Sequence, residues 1–78
     1  MPRSSRSNAQ LVALGKGIRN ARIARGWSEE ALAARSGLNR RYLIGIERGQ
    51  IKVRMLTLVR LAKALDMTVA RLLRNAGL

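Results

Sequence analysis

Seventy-eight residues carry sixteen Lys and Arg against four acids, a formal net charge of +12, with 47% hydrophobic residues and only Trp27 and Tyr42 as aromatics. This is one domain, near the size at which a single core becomes marginal, and Leu, Ile, Val, Met and Ala must fill its interior. The lack of Cys and His excludes disulfides, zinc fingers, thiol catalysis and imidazole metal sites, and no apolar run approaches the ~18 residues of a membrane span.

Residues 1–9 are rich in Ser, Arg and Asn without periodicity and read as a flexible basic arm, with Arg3 and Arg6 able to reach a neighbouring groove or simply remain solvated. The opening Met1-Pro2-Arg3-Ser4-Ser5-Arg6 lacks the apolar stretch of a signal peptide, so a soluble, cytoplasmic protein is expected. The domain proper spans 10–78. From Gln10 to about Arg25, Leu11, Leu14, Ile18 and Ala21 recur at helical spacing, and Gly26 follows as a stop. Ser28 caps a second helix to about Arg35, with Leu32 and Ala33 inward. Gly37 marks a tight turn, and Asn39 caps a third helix over Arg40–Glu47 with Leu43 and Ile46 inward. After a loop of about 50–54, Leu58, Leu61, Ala62 and Leu65 mark a fourth helix; Thr68 caps a last one carrying Leu72 and Leu73. The expected fold is all-α: a compact five-helix bundle with a helix-turn-helix. Trp27 and the Leu, Ile and Met stripes are expected in its core. Ile23, Ile51, Leu56 and Leu78 have no obvious inward place and suggest either a self-complementary patch on the last two helices or scattered surface positions.

Two arginines open the third helix. Thirteen of the sixteen cations are Arg, the residue suited to bidentate contact with phosphate and guanine. Cations at a helix N-terminus oppose the macrodipole, so Arg40 and Arg41 carry a local cost that points to function. In an exposed first turn either could fork onto guanine O6 and N7 in a major groove; the alternative is solvated side chains or phosphate grips. Asn39 is a cap that can also touch phosphate. Tyr42 either directs its hydroxyl to phosphate or packs against the second helix. Ile44 could meet a thymine methyl and Gly45 could let a backbone approach, or both are ordinary surface. Glu47, near a helix C-terminus, wants a cationic partner.

Leu14-Gly15, Ile18-Arg19, Arg22, Gly26-Trp27-Ser28, Leu32-Ala33, Gly37-Leu38, Ile46-Glu47-Arg48-Gly49 and Leu61-Ala62-Lys63-Ala64-Leu65 together resemble the Cro/C1-type (XRE) helix-turn-helix family over about residues 11–73. Within it, the third helix looks closest to restriction–modification controller proteins. The resemblance implies a buried Arg22–Glu47 ion pair. It also implies a backbone-contact loop in which Arg48, Gln50, Lys52 and Arg54 position phosphates, and a phosphate at the start of the second helix beside Ser28. Glu29 departs from the usual Gln there, leaving backbone N–H groups to hold that phosphate. Val53-Arg54 replaces a common Pro-Ser.

The expected function is a sequence-specific double-stranded DNA-binding transcriptional regulator, a homodimer on a palindromic operator reading the major groove with helix three. No cofactor, membrane or small-molecule effector is expected. An antitoxin of a toxin–antitoxin pair, a non-specific nucleic-acid binder and, more remotely, a cationic membrane-surface protein are the other readings. An enzyme is not expected: the four acids, with no His, Cys or phosphate-cradling Gly-rich loop, offer no catalytic group.

Overall fold

The computed structural model describes residues 5–78, which form five helices and no strands. α1 spans Ser5–Ala24, α2 Glu29–Ser36, α3 Arg40–Glu47, α4 Met55–Ala64 and α5 Val69–Asn75. α1 therefore begins within the segment expected to be an arm, at Ser5 rather than Gln10. Residues 1–4, including Arg3, lie outside the described residues, as does the Arg6 side chain.

The apolar spacing puts its residues where expected. Leu14 and Ile18 of α1, Leu32 and Ala33 of α2, Leu43 and Ile46 of α3, Leu58, Leu61 and Ala62 of α4, Leu65 and Leu72 share one buried cluster. α1 packs on α3 and α5, α2 on α3 and α4, and α4 on α5, so every helix is braced by at least two others. α3 is thus cradled between α1 and α2.

Local chemistry sets the boundaries around α2 and α3. The Ser28 hydroxyl accepts from the Ala31 N–H at 3.0 Å, and Glu29 and Glu30 follow where the helix dipole favours anions. Gly37 ends α2 in the left-handed region at φ 70°, ψ 26°, while Leu38 N–H donates to the Ala33 carbonyl. That closure needs a residue without a Cβ penalty, which is why glycine stands there. The Asn39 side-chain oxygen then accepts from the N–H groups of Arg41 and Tyr42 at 2.8 and 3.3 Å and starts α3. α4 starts differently: Arg54 gives it no side-chain cap.

Two expectations about packing are corrected. Trp27 is only partly buried. It lies against the core with the Arg35 guanidinium 4.1 Å from its ring centroid, a cation–π lid rather than an interior side chain. Met55, the first residue of α4, is 67% exposed, whereas Leu58 three residues on is buried in the cluster. Conversely, Ile51 does have an inward place: it is partly buried against the core, whereas Ile23, Leu56 and Leu78 are exposed.

Candidate nucleic-acid interface

α2, the three-residue turn 37–39 and α3 form a helix-turn-helix in which the outer side of α3 is open. Arg40 and Arg41 are both exposed in its first turn, which contains no acid. Asn39 is exposed beside them, its oxygen committed to the cap, so only its amide N–H groups are free to donate outward. Tyr42 is half-buried against the core and Ile44 is half-buried.

Gly45 does not belong on this surface. It is buried, and a Cβ built there would collide with Ile51 Cδ1 and lie 3.0 Å from Ile51 Cγ1. The missing side chain admits Ile51, not an approaching nucleic-acid backbone. Ile51 in turn folds the segment after α3 back across the helix. Arg48, Gln50, Lys52 and Arg54 are exposed on that segment, alongside the end of α3.

α3 is fixed from behind by an ion pair. Arg22 Nε donates to Glu47 Oε2 at 2.8 Å and Nη2 donates to Oε1 at 2.9 Å, a bidentate fork between α1 and the last residue of α3. The remaining nitrogen, Nη1, donates to the Trp27 carbonyl at 2.8 Å. Both residues are buried, at 8% and 7% exposure. The hydrogen-bonded Glu47 carboxylate holds the Arg22 pKa above its ordinary value despite the opposing effect of burial, with the charge of Glu29 adding to the rise. The Arg22–Glu47 partnership implied by the sequence resemblance is therefore present.

One positioning residue escaped the sequence reading of the site. Gly15, in mid-helix on α1, would bring a Cβ within 2.5 Å of the Ile46 and Glu47 carbonyl oxygens. Its absence lets α1 and the end of α3 touch backbone to backbone. The signal was available, since glycine inside an otherwise good helix costs ~1 kcal/mol against Ala and usually marks a close contact.

No group of three or more acids among the described residues is arranged to hold a metal ion. No helix among them is long and apolar enough to cross a membrane. What remains is an exposed, cationic, helix-borne surface held by a rigid rear contact, a geometry suited to a polyanion with a groove.

Comparison with known proteins agrees with that geometry. The helix-turn-helix family matches residues 18–72. The chain is similar to control protein C.SmaI of Serratia marcescens, 42% identical over 65 residues that cover 83% of this chain and 77% of that protein. Among solved structures it is similar to the restriction–modification controller protein C.AhdI of Aeromonas hydrophila, with 45% identity and TM-score 0.80 over 82% of this chain and 97% of that one. It is also similar to the clp gene regulator ClgR of Corynebacterium glutamicum, with 32% identity and TM-score 0.84 over 87% of each chain. The motif, its buried rear pair and these relatives lead to one conclusion: the chain belongs to the Cro/C1-type helix-turn-helix family.

Proposed function

We propose that this protein is a sequence-specific double-stranded DNA-binding transcriptional regulator that acts as a homodimer in the cytoplasm. The observation that carries the reading is the free first turn of α3, with Arg40 and Arg41 exposed on a helix whose opposite side is locked to α1 and α2. Arg40 and Arg41 read base edges, Ile44 meets a thymine methyl and Tyr42 directs its hydroxyl to phosphate. Ser28, Asn39, Arg48, Lys52 and Arg54 set register on phosphates and contribute affinity without sequence choice. Similarity to controller proteins and to a gene regulator supports regulation as the outcome of binding, and speaks against an enzyme.

A single α3 reads only a few base pairs, so useful selectivity requires two, set about 34–36 Å apart across a two-fold axis. The exposed Met55 and Leu56 at the start of α4, at 67% and 76% exposure, give a second copy an apolar place to dock. The deciding experiment is selection from random duplexes followed by sequencing. A palindromic preferred site is expected; recovery of no preferred sequence would overturn the proposal.

A further inference from the structure

Three clefts of about 620, 520 and 490 Å³ adjoin in series along α2, α4, α5 and α1. Lys63 lines the first and second, while Asp66, Met67 and Arg71 line the second and third, so the three form one belt. Its cations are Arg35, Arg60, Lys63, Arg71 and Arg25, all exposed, and Asp66 is its only acid. Among the described residues the one ion pair is Arg22–Glu47, so no carboxylate of the chain neutralises these five. Two of them are held in place: Arg35 stacks on Trp27 at 4.1 Å, and Arg25 donates to the Ala21 carbonyl at 3.1 Å and to the Leu65 carbonyl. No residue of α3, of the segment 48–54 or of the apolar pair Met55 and Leu56 lines the belt. Duplex reading, dimer docking and the belt thus draw on separate residues.

We propose that this belt docks an acidic protein segment, one with apolar side chains between its carboxylates, while α3 is free to hold a duplex. Five cations against one acid call for an anionic partner. A second copy of the chain is a poor one. Of its four acids, Glu47 is buried in its pair and Asp66 belongs to the belt, which leaves only Glu29 and Glu30. Between the cations the lining is Ala34, Ala64, Met67 and Ala21, apolar surface that a sugar-phosphate chain cannot use and a peptide side chain can. Unpaired bases stack on aromatic rings, and neither Trp27 nor Tyr42 lines the belt. A duplex is read by an element that enters its groove, whereas the belt is concave. Asn20 and Asn75 offer acceptors as well as donors, and Asp66 offers an acceptor alone. Those acceptors suit peptide N–H groups and find no donor on a phosphodiester.

The experiment titrates a fluorescein-labelled peptide of Glu-Glu-Leu repeats with the full chain by fluorescence anisotropy, at physiological salt so that distant charges are screened. Peptides of the same length built from Glu-Glu-Gly and Gln-Gln-Leu, and a thymidine oligonucleotide, are titrated alongside. Wild-type protein should bind the Glu-Glu-Leu peptide more tightly than either altered peptide. Lys63→Glu/Arg71→Glu should weaken it roughly tenfold, since two attractive contacts become repulsive. Arg40→Glu/Arg41→Glu makes the same change of net charge on α3 and should leave peptide binding as it was. Lys63→Ala/Arg71→Ala, a milder change at the same exposed positions, should lose affinity in the same direction with an unaltered melting curve. The peptide should also stay bound when a duplex saturates the protein. No binding of the Glu-Glu-Leu peptide, equal binding of the Glu-Glu-Gly one, equal losses in the two charge-reversed variants, or displacement by duplex would overturn the proposal. A charge reversal in the belt that costs the oligonucleotide more than the peptide would make the belt a nucleic-acid track instead. The peptide is titrated without DNA, so its failure to bind leaves the duplex reading untouched.

Discussion

Glu47→Gln tests the rear lock of α3 with almost no change of shape. The substitution removes one charge from a pair whose side chains are 10% and 3% exposed, with two hydrogen bonds of 2.8 and 2.9 Å between them. Arg22 then keeps a buried positive charge facing a neutral amide, one end of which is a donor and cannot accept from it. Breaking such a pair from one side costs about 3–5 kcal/mol. Arg22→Met costs at least as much, since it strands the carboxylate and also orphans the Trp27 carbonyl held at 2.8 Å, a further ~1–3 kcal/mol. A domain of this length has a total stability of only about 4–12 kcal/mol. A loss of ~4 kcal/mol corresponds to a fall in Tm of roughly 15–30 °C. Arg22→Met/Glu47→Gln removes both charges together and should recover part of that loss, the Trp27 carbonyl staying unpaired, so the cycle returns a coupling energy of several kcal/mol. Thermal and urea unfolding followed by circular dichroism measure all four proteins. A Glu47→Gln loss below about 1 kcal/mol, the scale of a solvated surface pair, would refute the argument that the contact is desolvated.

Three further substitutions probe separate parts of the structure. Gly15→Ala places a methyl 2.5 Å from two carbonyl oxygens of α3. It should destabilise by about 1–3 kcal/mol in spite of better helix propensity, and melting at or above the wild-type Tm would contradict the close contact. Lys52→Ala should weaken every duplex alike and lower the salt slope by about one per protomer; an unchanged slope removes Lys52 from the phosphate contacts. Leu56→Glu puts a charge on a residue that is 76% exposed and should leave monomer stability within about 0.5 kcal/mol. Sedimentation at micromolar concentration should show dissociation to monomer, and an intact dimer would place the interface elsewhere.

How far the sequence could be read depended on whether the cause was local. Leu14, Ile18, Leu32, Leu43, Ile46, Leu61, Leu65 and Leu72 were identifiable because helical spacing alone decides which face they occupy, and all eight are buried. Ser28, Gly37 and Asn39 were identifiable because caps and turns are settled within a few residues. The start of α1 was not: its first residues lack apolar spacing, yet nothing from Ser5 to Leu14 breaks a helix, for the stretch has neither Gly nor Pro. Gly45 was misassigned for a different reason. A glycine on a recognition helix invites a partner's backbone, and only the path of residues 48–51 reveals that Ile51 occupies the space. Met55 failed as a core residue since its apolar character is compatible with either side of a first turn.

The features that hold α3 and those that would touch DNA lie on opposite sides of it, and that separation makes an unusual demand on Arg40. In the free protein its charge sits at the positive end of the helix dipole, in a first turn without an acid to offset it. Replacing it with Ala removes that repulsion, worth ~0.3–1 kcal/mol, and installs a better helix former. Arg40→Ala should therefore melt at the same temperature as wild type or a few degrees higher. The same variant should lose discrimination of about 1–3 kcal/mol at one base position while other positions keep theirs. Stability and selectivity moving in opposite directions is the signature of a side chain retained for its partner rather than for the fold. A lower Tm for Arg40→Ala would mean that the guanidinium packs within the monomer. A uniform loss across all sequences would make it a phosphate contact. Either result would take base reading away from this residue.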